Sequence, residues 1–153
     1  MKNNSFINLL AILIITVSLI SCNNDNDGSS SNTLLESLGG TEWKYTDGED
    51  VKYYTFKNNL SSPFEEWWGS INRSCYEYYQ ASNAQSLNVL ENTSDSFVIV
   101  LDYGHASETY NFRMSGSSLK LTFGANDGGN SSTSYYLFDQ SSDVLDQLQI
   151  CPD

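Results

Sequence analysis

The chain has the length of one domain and is strongly acidic. Its 153 residues include 19 acidic and 7 basic ones, which gives a net charge of −12 at pH 7. Such a surface would repel nucleic acid and anionic lipid, so we exclude nucleic acid as a partner. The same charge favours solubility, divalent cations or a basic partner protein.

The N-terminal segment predicts an export signal that ends at a cysteine. Lys2 provides a basic start, an apolar stretch extends from Ile7 to Ile20, and Ser21 precedes Cys22. The stretch has the length of a secretory signal, about 7–15 residues, and is shorter than the roughly 20 residues of a membrane-spanning helix. This layout resembles bacterial lipoprotein signals. The resemblance implies cleavage before Cys22, a lipid on its thiol and attachment to a membrane.

Three segments follow from this assignment. Residues 1–21 are the signal peptide, residues 22–32 a lipidated tether and residues 33–153 the folded domain. After the cysteine the tether contains only Asn, Asp, Gly and Ser, so it has nothing apolar to bury and we expect it to be flexible. Its acidic residues resemble the surface-export signals of Bacteroidota lipoproteins. That resemblance implies a lipid anchor in the outer membrane, with the domain exposed at the cell surface.

The folded domain is predicted to start with a short helical turn. Thr33 can cap it, and Glu36 stands three residues later, which is the spacing of a capping box. Gly39-Gly40 ends the turn. No later segment has sustained helical periodicity, and short runs rich in aromatic and β-branched residues predict strands instead. Five of these strands are predicted at 41–46, 51–57, 72–80, 86–91 and 132–139.

Three further strands, at 95–103, 107–114 and 117–123, form the clearest predicted unit. Tight turns at 104–105 and 115–116 separate them. The register that these turns impose gathers the apolar residues on one face, and a slip by one residue would scatter them. The predicted partners are Phe97 with Phe112, Phe112 with Leu119, Ile99 with Tyr110, and Tyr110 with Leu121.

Eight strands joined in chain order favour an all-β fold, a closed antiparallel up-and-down barrel, with a two-sheet β-sandwich as the alternative. Two segments are expected to be loops: 58–70, with Trp67 and Trp68, and the glycine-rich 124–130. The two tryptophans either cap the barrel or form an exposed contact patch. The tail at 144–150 is either a ninth strand or a helical turn.

The order of these elements resembles that of the lipocalin-like lipoproteins of Bacteroidota. The shared features are the short helix, the pair Gly39-Gly40, and Thr41-Glu42-Trp43 at the start of an eight-stranded meander. The resemblance implies a barrel that binds a small apolar or amphipathic molecule or acts as an interaction module. It also implies that Trp43 closes one end of the barrel.

Inward-facing residues of the three-strand unit are the predicted ligand-binding residues. Glu108 falls on the same face near a strand end, where it either orients the polar end of a ligand at the barrel mouth or lies exposed. The apolar residues predicted to line a cavity are Phe97, Ile99, Tyr110, Phe112, Leu119 and Leu121.

Cys75 and Cys151 are left as an even pair once Cys22 is assigned to the anchor. In an exported, oxidising setting, this predicts a disulfide between them.

The sequence predicts no catalytic centre. The single histidine, His105, is placed at a turn tip, without the acid and the shielding from water that a nucleophile's base needs. No CxxC, HExxH or phosphate-binding glycine loop is present, so we expect a binding protein that needs no metal or cofactor. Two alternatives to a small ligand stay open: a basic protein bound by the acidic surface, and a glycan bound by Trp67, Trp68 and strand tyrosines.

Overall fold

Nine antiparallel strands make up most of the structure. The structure is a computed structural model that describes residues 32–70, 72, 75–143, 145 and 149–152. The predicted signal peptide, Cys22 and the tether up to residue 31 lie outside the described residues. In the part of the chain that is described, no helix is long and apolar enough to cross a bilayer. A helix, α1 (Leu34–Leu38), precedes the strands, and a 3-10 turn (Ala81–Asn83) lies between the fourth and the fifth. The strands are β1 (Glu42–Asp47), β2 (Asp50–Phe56), β3 (Phe64–Ser70), β4 (Glu77–Gln80), β5 (Ser86–Asn92), β6 (Ser96–Asp102), β7 (Ala106–Ser115), β8 (Ser118–Asp127) and β9 (Asn130–Gln140).

The strands form one sheet in the order β4-β3-β2-β1-β9-β8-β7-β6-β5, curled into a half-barrel. Its inner faces meet where the rings of Phe56 and Phe64 lie 5.0 and 5.5 Å from the ring of Phe112. β4 and β5 are the two ends of the sheet and are not hydrogen-bonded to each other. The all-β, barrel-like prediction is therefore confirmed. The predicted count of eight strands is wrong by one.

The additional strand is the segment that contains the two tryptophans. We predicted a loop at 58–70, but Phe64–Ser70 forms β3 and pairs with both β2 and β4. Pro63 and the run of bulky residues after it obscured the alternation. In the structure Phe64 and Glu66 are buried on the inner face, with Glu65 and Trp67 on the outer one.

The predicted loop at 124–130 is also a strand region. β8 and β9 continue through it, and Gly124 pairs with Thr109 on one side and Thr133 on the other. Only Gly128 and Gly129 form the turn, with φ values of +56° and +94°. Two consecutive positive φ angles suit a tight hairpin turn, and glycine reaches them without steric cost.

The register predicted between β6 and β7 is confirmed. Phe97 pairs with Phe112, and Ile99 pairs with Tyr110. Gly104 begins the connecting turn with φ +86°, as a two-residue turn with glycine first requires.

The register predicted between β7 and β8 is displaced by two residues. The turn lies at 116–117 rather than 115–116, so Phe112 pairs with Leu121 instead of Leu119. Because side chains alternate with period two, a shift of two leaves every side chain on its predicted face. The inner and outer faces of this unit are therefore as expected, although the partners differ.

Helix α1 covers one end of the half-barrel. Thr33 accepts a hydrogen bond from the Glu36 backbone N–H, and the Glu36 carboxylate accepts one from the Thr33 backbone N–H, which completes the predicted capping box. The three leucines of α1 are buried and join the inward-facing residues of the sheet in one core. That core comprises Leu34, Leu35, Leu38, Trp43, Tyr54, Phe56, Phe64, Ala81, Phe97, Ile99, Leu101, Tyr110, Phe112, Leu119, Leu121 and Phe138.

The C-terminal segment packs on the outer face of β2. Leu145 is buried against Val51 and Tyr53 in a second, smaller apolar cluster. Asp143 accepts hydrogen bonds from Lys44 Nζ and Tyr53 Oη at 2.8 and 2.9 Å, and these bonds hold the pKa of its carboxyl below the usual range.

Cys75 and Cys151 form a disulfide, as predicted, with their Cα atoms 4.8 Å apart. Beside it Ile150 forms a single parallel bridge with Tyr76. The predicted tail element at 144–150 lies mostly outside the described residues, so neither a ninth strand nor a helical turn is established there.

We expect the double substitution Cys75→Ser/Cys151→Ser to lower the free energy of unfolding by roughly 4 kcal/mol. The disulfide closes a loop of 76 residues, and its loss returns that loop's entropy to the unfolded chain. Urea unfolding followed by fluorescence measures the change, with the oxidised and reduced wild-type protein as controls. A loss below about 1 kcal/mol would contradict this account.

Candidate functional site

The six apolar residues predicted to line a cavity lie in the packed core. Each has at most 4% of its surface exposed. Phe112 contacts rings from the opposite side of the half-barrel: those of Phe56 and Phe64, and that of Tyr54 at 5.4 Å. Large side chains therefore occupy the middle of the half-barrel, and the candidate site lies above them.

A layer of polar side chains lies on the core, toward the end of the half-barrel opposite α1. We call this end, which carries the turns at 48–49, 104–105 and 128–129, the open end. Strand alternation places the polar side chains inward, since Lys52 and Tyr54 share a face of β2 with buried Phe56. The polar layer consists of Lys52, Tyr54, Glu66, Tyr103, Glu108 and Tyr110.

Glu66 is the most buried carboxylate of this layer, with 8% of its surface exposed. Its Oε1 lies 2.6 Å from Lys52 Nζ, and its Oε2 accepts a hydrogen bond from Tyr54 Oη at 2.8 Å. A charge in an apolar setting is tolerated only when it is paired and hydrogen-bonded, and here both oxygens have partners. Burial, and then the charge of Glu66, raise the pKa of Tyr54, which keeps its hydroxyl a donor.

Glu108 lies half-buried on the inner face, opposite Leu101, as the predicted register required. Its Oε2 accepts hydrogen bonds from Tyr110 Oη at 2.8 Å and from Tyr103 Oη at 3.2 Å. No described lysine, arginine or histidine forms an ion pair with it. Glu108 therefore presents a negative charge that only phenol hydroxyls stabilise.

The tyrosines that bond to Glu108 act as fixed donors. Burial is the largest cause that raises the pKa of Tyr103 and of Tyr110. The charges of Glu108 and Glu66 raise both pKa values further, since each disfavours a second negative charge nearby. The hydroxyls stay protonated in neutral and mildly alkaline solution, and they hold the carboxylate in place.

The ammonium group of Lys52 is surrounded by aromatic rings. It lies 5.0 Å from the ring centroid of Tyr136 and 5.9 Å from those of Phe123 and Trp68. Rings at such distances attract a cation electrostatically. Sequence reasoning missed Lys52 and Glu66, although the alternation of Lys52 with Tyr54 and Phe56 was a signal that the lysine faces inward.

A cleft of about 280 Å³ opens beside Lys52 at the open end. Trp68 contributes an indole that is 45% exposed, and the half-buried rings of Tyr45 and Tyr136 lie 5.1 Å apart. Exposed carboxylates of Asp47 and Asp50 line it as well. We call this cleft the rim cleft; its lining residues are Tyr45, Asp47, Asp50, Val51, Lys52, Trp68 and Tyr136.

The structure separates the two tryptophans that sequence analysis treated as a pair. Trp68 faces the rim cleft, whereas Trp67 points to the outer face and is half-buried against the Val51 and Tyr53 cluster. Its ring lies 4.4 Å from that of Tyr78. Consecutive residues of a strand face opposite sides, so the two cannot share one contact patch.

His105 is exposed in the β6–β7 turn, where the sequence placed it. Within the described ranges, no group of three or more His, Cys, Asp or Glu side chains is arranged to hold a metal ion. The open end brings aromatic surfaces beside hydrogen-bond acceptors, a combination that small-molecule sites often have.

We expect Lys52 and Glu66 to be strongly coupled. Replacement of Lys52 by Met, or of Glu66 by Gln, should each cost about 3 kcal/mol of unfolding free energy, because each leaves a buried polar partner unsatisfied. The double variant should lose much less than the sum of the two. Urea unfolding of the four proteins gives the coupling energy.

The pair Lys57–Glu65 provides a matched control, since its lysine is 46% exposed. A cycle on that pair should give a coupling below about 1 kcal/mol. If the changes in unfolding free energy at Lys52 and Glu66 were additive, the coupling energy of the buried pair would be zero and this prediction would be wrong.

A scan against models of protein families found no match, and searches of curated proteins and of solved structures also found none.

Proposed function

We propose that the protein is a lipoprotein, held in the outer membrane through Cys22 and exposed at the cell surface, whose half-barrel binds a small amphipathic ligand at the open end. The observation that carries the proposal is the rim cleft, where the exposed ring of Trp68 stands beside the exposed carboxylates of Asp47 and Asp50. The resemblance to lipocalin-like lipoproteins of Bacteroidota points the same way. We assign the site a binding role rather than a catalytic one.

The size of the rim cleft favours a small ligand. Sites for small molecules typically occupy roughly 300–1,000 Å³, and the cleft, at about 280 Å³, is just below that range. Its aromatic walls, from Tyr45, Trp68 and Tyr136, suit a flat or short apolar group. Because large side chains fill the core below, such a ligand would bind at the open end. It would not lie among the six core residues that we predicted to line a cavity.

The charges at the open end favour a ligand with an amine or another donor group. Asp47 and Asp50 line the cleft, and Glu108 has no cationic partner among the described residues. The one lysine nearby, Lys52, is held by Glu66. A carboxylate ligand would meet the negative charges of Asp47 and Asp50, whereas an amine would be attracted by them and by the ring faces.

The anchor is tested by metabolic labelling with radioactive palmitate in an exporting bacterial host. We expect the full chain to carry label, and the variant Cys22→Ala to carry none, because that thiol is the proposed acceptor. The variant Cys75→Ser/Cys151→Ser is the control for loss of cysteine and should stay labelled. Label that persists in Cys22→Ala would refute the anchor.

Ligand binding is tested on the full chain in a neutral detergent. We expect phenethylamine to bind more tightly than 2-phenylethanol, and phenylacetate to bind least, because the three share an aromatic ring and differ in charge. Saturation-transfer NMR ranks them. Native mass spectrometry of the same preparation detects any non-covalent ligand carried from the host.

Trp68→Ala and Asp50→Asn should each weaken phenethylamine binding by about tenfold, because both residues line the rim cleft. Tyr135→Ala is the matched control, since Tyr135 is an exposed ring on the outer surface and should leave binding unchanged. If none of the three probes bound, or if Trp68→Ala had no effect, the rim cleft would not be the site. A basic protein or a glycan would then be the partner to seek.

A further inference from the structure

The outer face of β7–β9 differs in charge from the rest of this acidic chain. Asp139, at the end of β9, is the one acidic residue that points outward from these three strands, and Ser118 donates a hydrogen bond to it at 3.0 Å. Basic, hydroxyl, amide and apolar side chains occupy the middle. We call this patch the basic face and define it as Asn111, Arg113, Lys120, Thr122, Tyr135 and Leu137.

Two cations stand side by side at the centre of the basic face. Arg113 and Lys120 are direct cross-strand partners, and like charges in that position repel each other. Neither forms an ion pair with any described residue, whereas Lys44, Lys52 and Lys57 all do. Arg113 Nε donates a hydrogen bond to Asn111 Oδ1 at 3.3 Å. Two adjacent cations are thus left without an ion-pair partner among the described residues.

Exposed apolar side chains adjoin these cations. Leu137 pairs with Lys120 and is 55% exposed, and Tyr135 pairs with Thr122 and is 68% exposed. A single exposed apolar residue is common, but two neighbours on one strand, beside unpaired cations, form a surface with mixed chemistry. Tyrosine in particular buries a large area at low entropic cost when it binds a partner.

We propose that the basic face binds an anionic polysaccharide whose carboxylates alternate with neutral sugars. The fork of Arg113 suits bidentate contact with a carboxylate, and Lys120 adds a second positive charge beside it. Asn111 and Thr122 supply hydrogen-bonding groups for sugar hydroxyls. The ring of Tyr135 offers a flat surface on which a sugar ring can stack.

The other side chains and the overall charge decide between classes of partner. Two apolar residues are too few to hold the face in a lipid bilayer, and the hydroxyl and amide groups around them favour a hydrated ligand. A densely charged polyanion would be repelled by the net charge of −12. A polysaccharide with widely spaced charges is repelled less, because salt screens the repulsion between charges more than about 8 Å apart in physiological solution.

This face is separate from the rim cleft, because it lies on the outer side of β7–β9 and shares no residue with the lining of the cleft. The inference therefore does not rest on the proposed function, and either site could fail without the other.

Isothermal titration of the full chain in neutral detergent, with a hyaluronan decasaccharide as the probe, tests the inference. We expect saturable binding that weakens as salt is raised, and no binding of a neutral maltodextrin of the same length. Arg113→Gln/Lys120→Gln should bind at least tenfold more weakly, and Tyr135→Ala about fivefold more weakly. Lys44→Gln/Lys57→Gln changes the net charge equally and should stay within twofold of wild type.

Thermal unfolding of the same variants shows whether a loss of hyaluronan binding reflects misfolding. Arg113→Gln/Lys120→Gln should melt at or above the wild-type temperature, because it removes a repulsion between neighbours. Three results would each overturn the inference: no saturable hyaluronan binding by the wild type, equal losses in the two double variants, or tighter binding to phosphatidylglycerol vesicles than to hyaluronan.

Discussion

The packing of aromatic rings across the interior is the interaction on which the rest of the structure depends. Phe112 of β7 meets Phe56 and Phe64 from strands on the other side of the sheet. Burial of these rings removes large apolar areas from water, and it requires the sheet to curl until β2 and β3 face β7. The curl then separates an inner face from an outer one along every strand, so both the rim cleft and the basic face follow from it.

A core filled by large side chains also determines where recognition can occur. With Phe97, Ile99 and Leu121 fully buried, little room is left for a ligand deep inside. Polar groups on the inner face are consequently confined to the level above the core. Glu66 has a buried ion pair there and Glu108 has none. That asymmetry leaves a net negative open end, while the outer surface of β7–β9 carries the unpaired cations.

Local patterns predicted a good part of this fold. The turn at Gly104 and the alternation around it were enough to establish the β6–β7 register, since a tight turn limits how two strands can pair. The β7–β8 turn was misplaced by one position, yet the faces were correct because the error in register was an even number. β3 was missed because Glu66 alternates with aromatic residues in it. A glutamate is recognised as inward-facing only once its partners, Lys52 and Tyr54, are known.

By itself the sequence determined the strand-rich class, the capped helix, the pairing of Cys75 with Cys151 and the faces of β6, β7 and β8. These properties depend on residue type, on short spacing and, for the disulfide, on the oxidising setting that we predicted. Only the tertiary structure decided that Lys52 pairs with Glu66, that Trp67 and Trp68 lie on different surfaces, and that Arg113 and Lys120 have no ion-pair partner among the described residues. Such relations join strands far apart in the chain, and the curl of the sheet, rather than any local preference, brings those strands together.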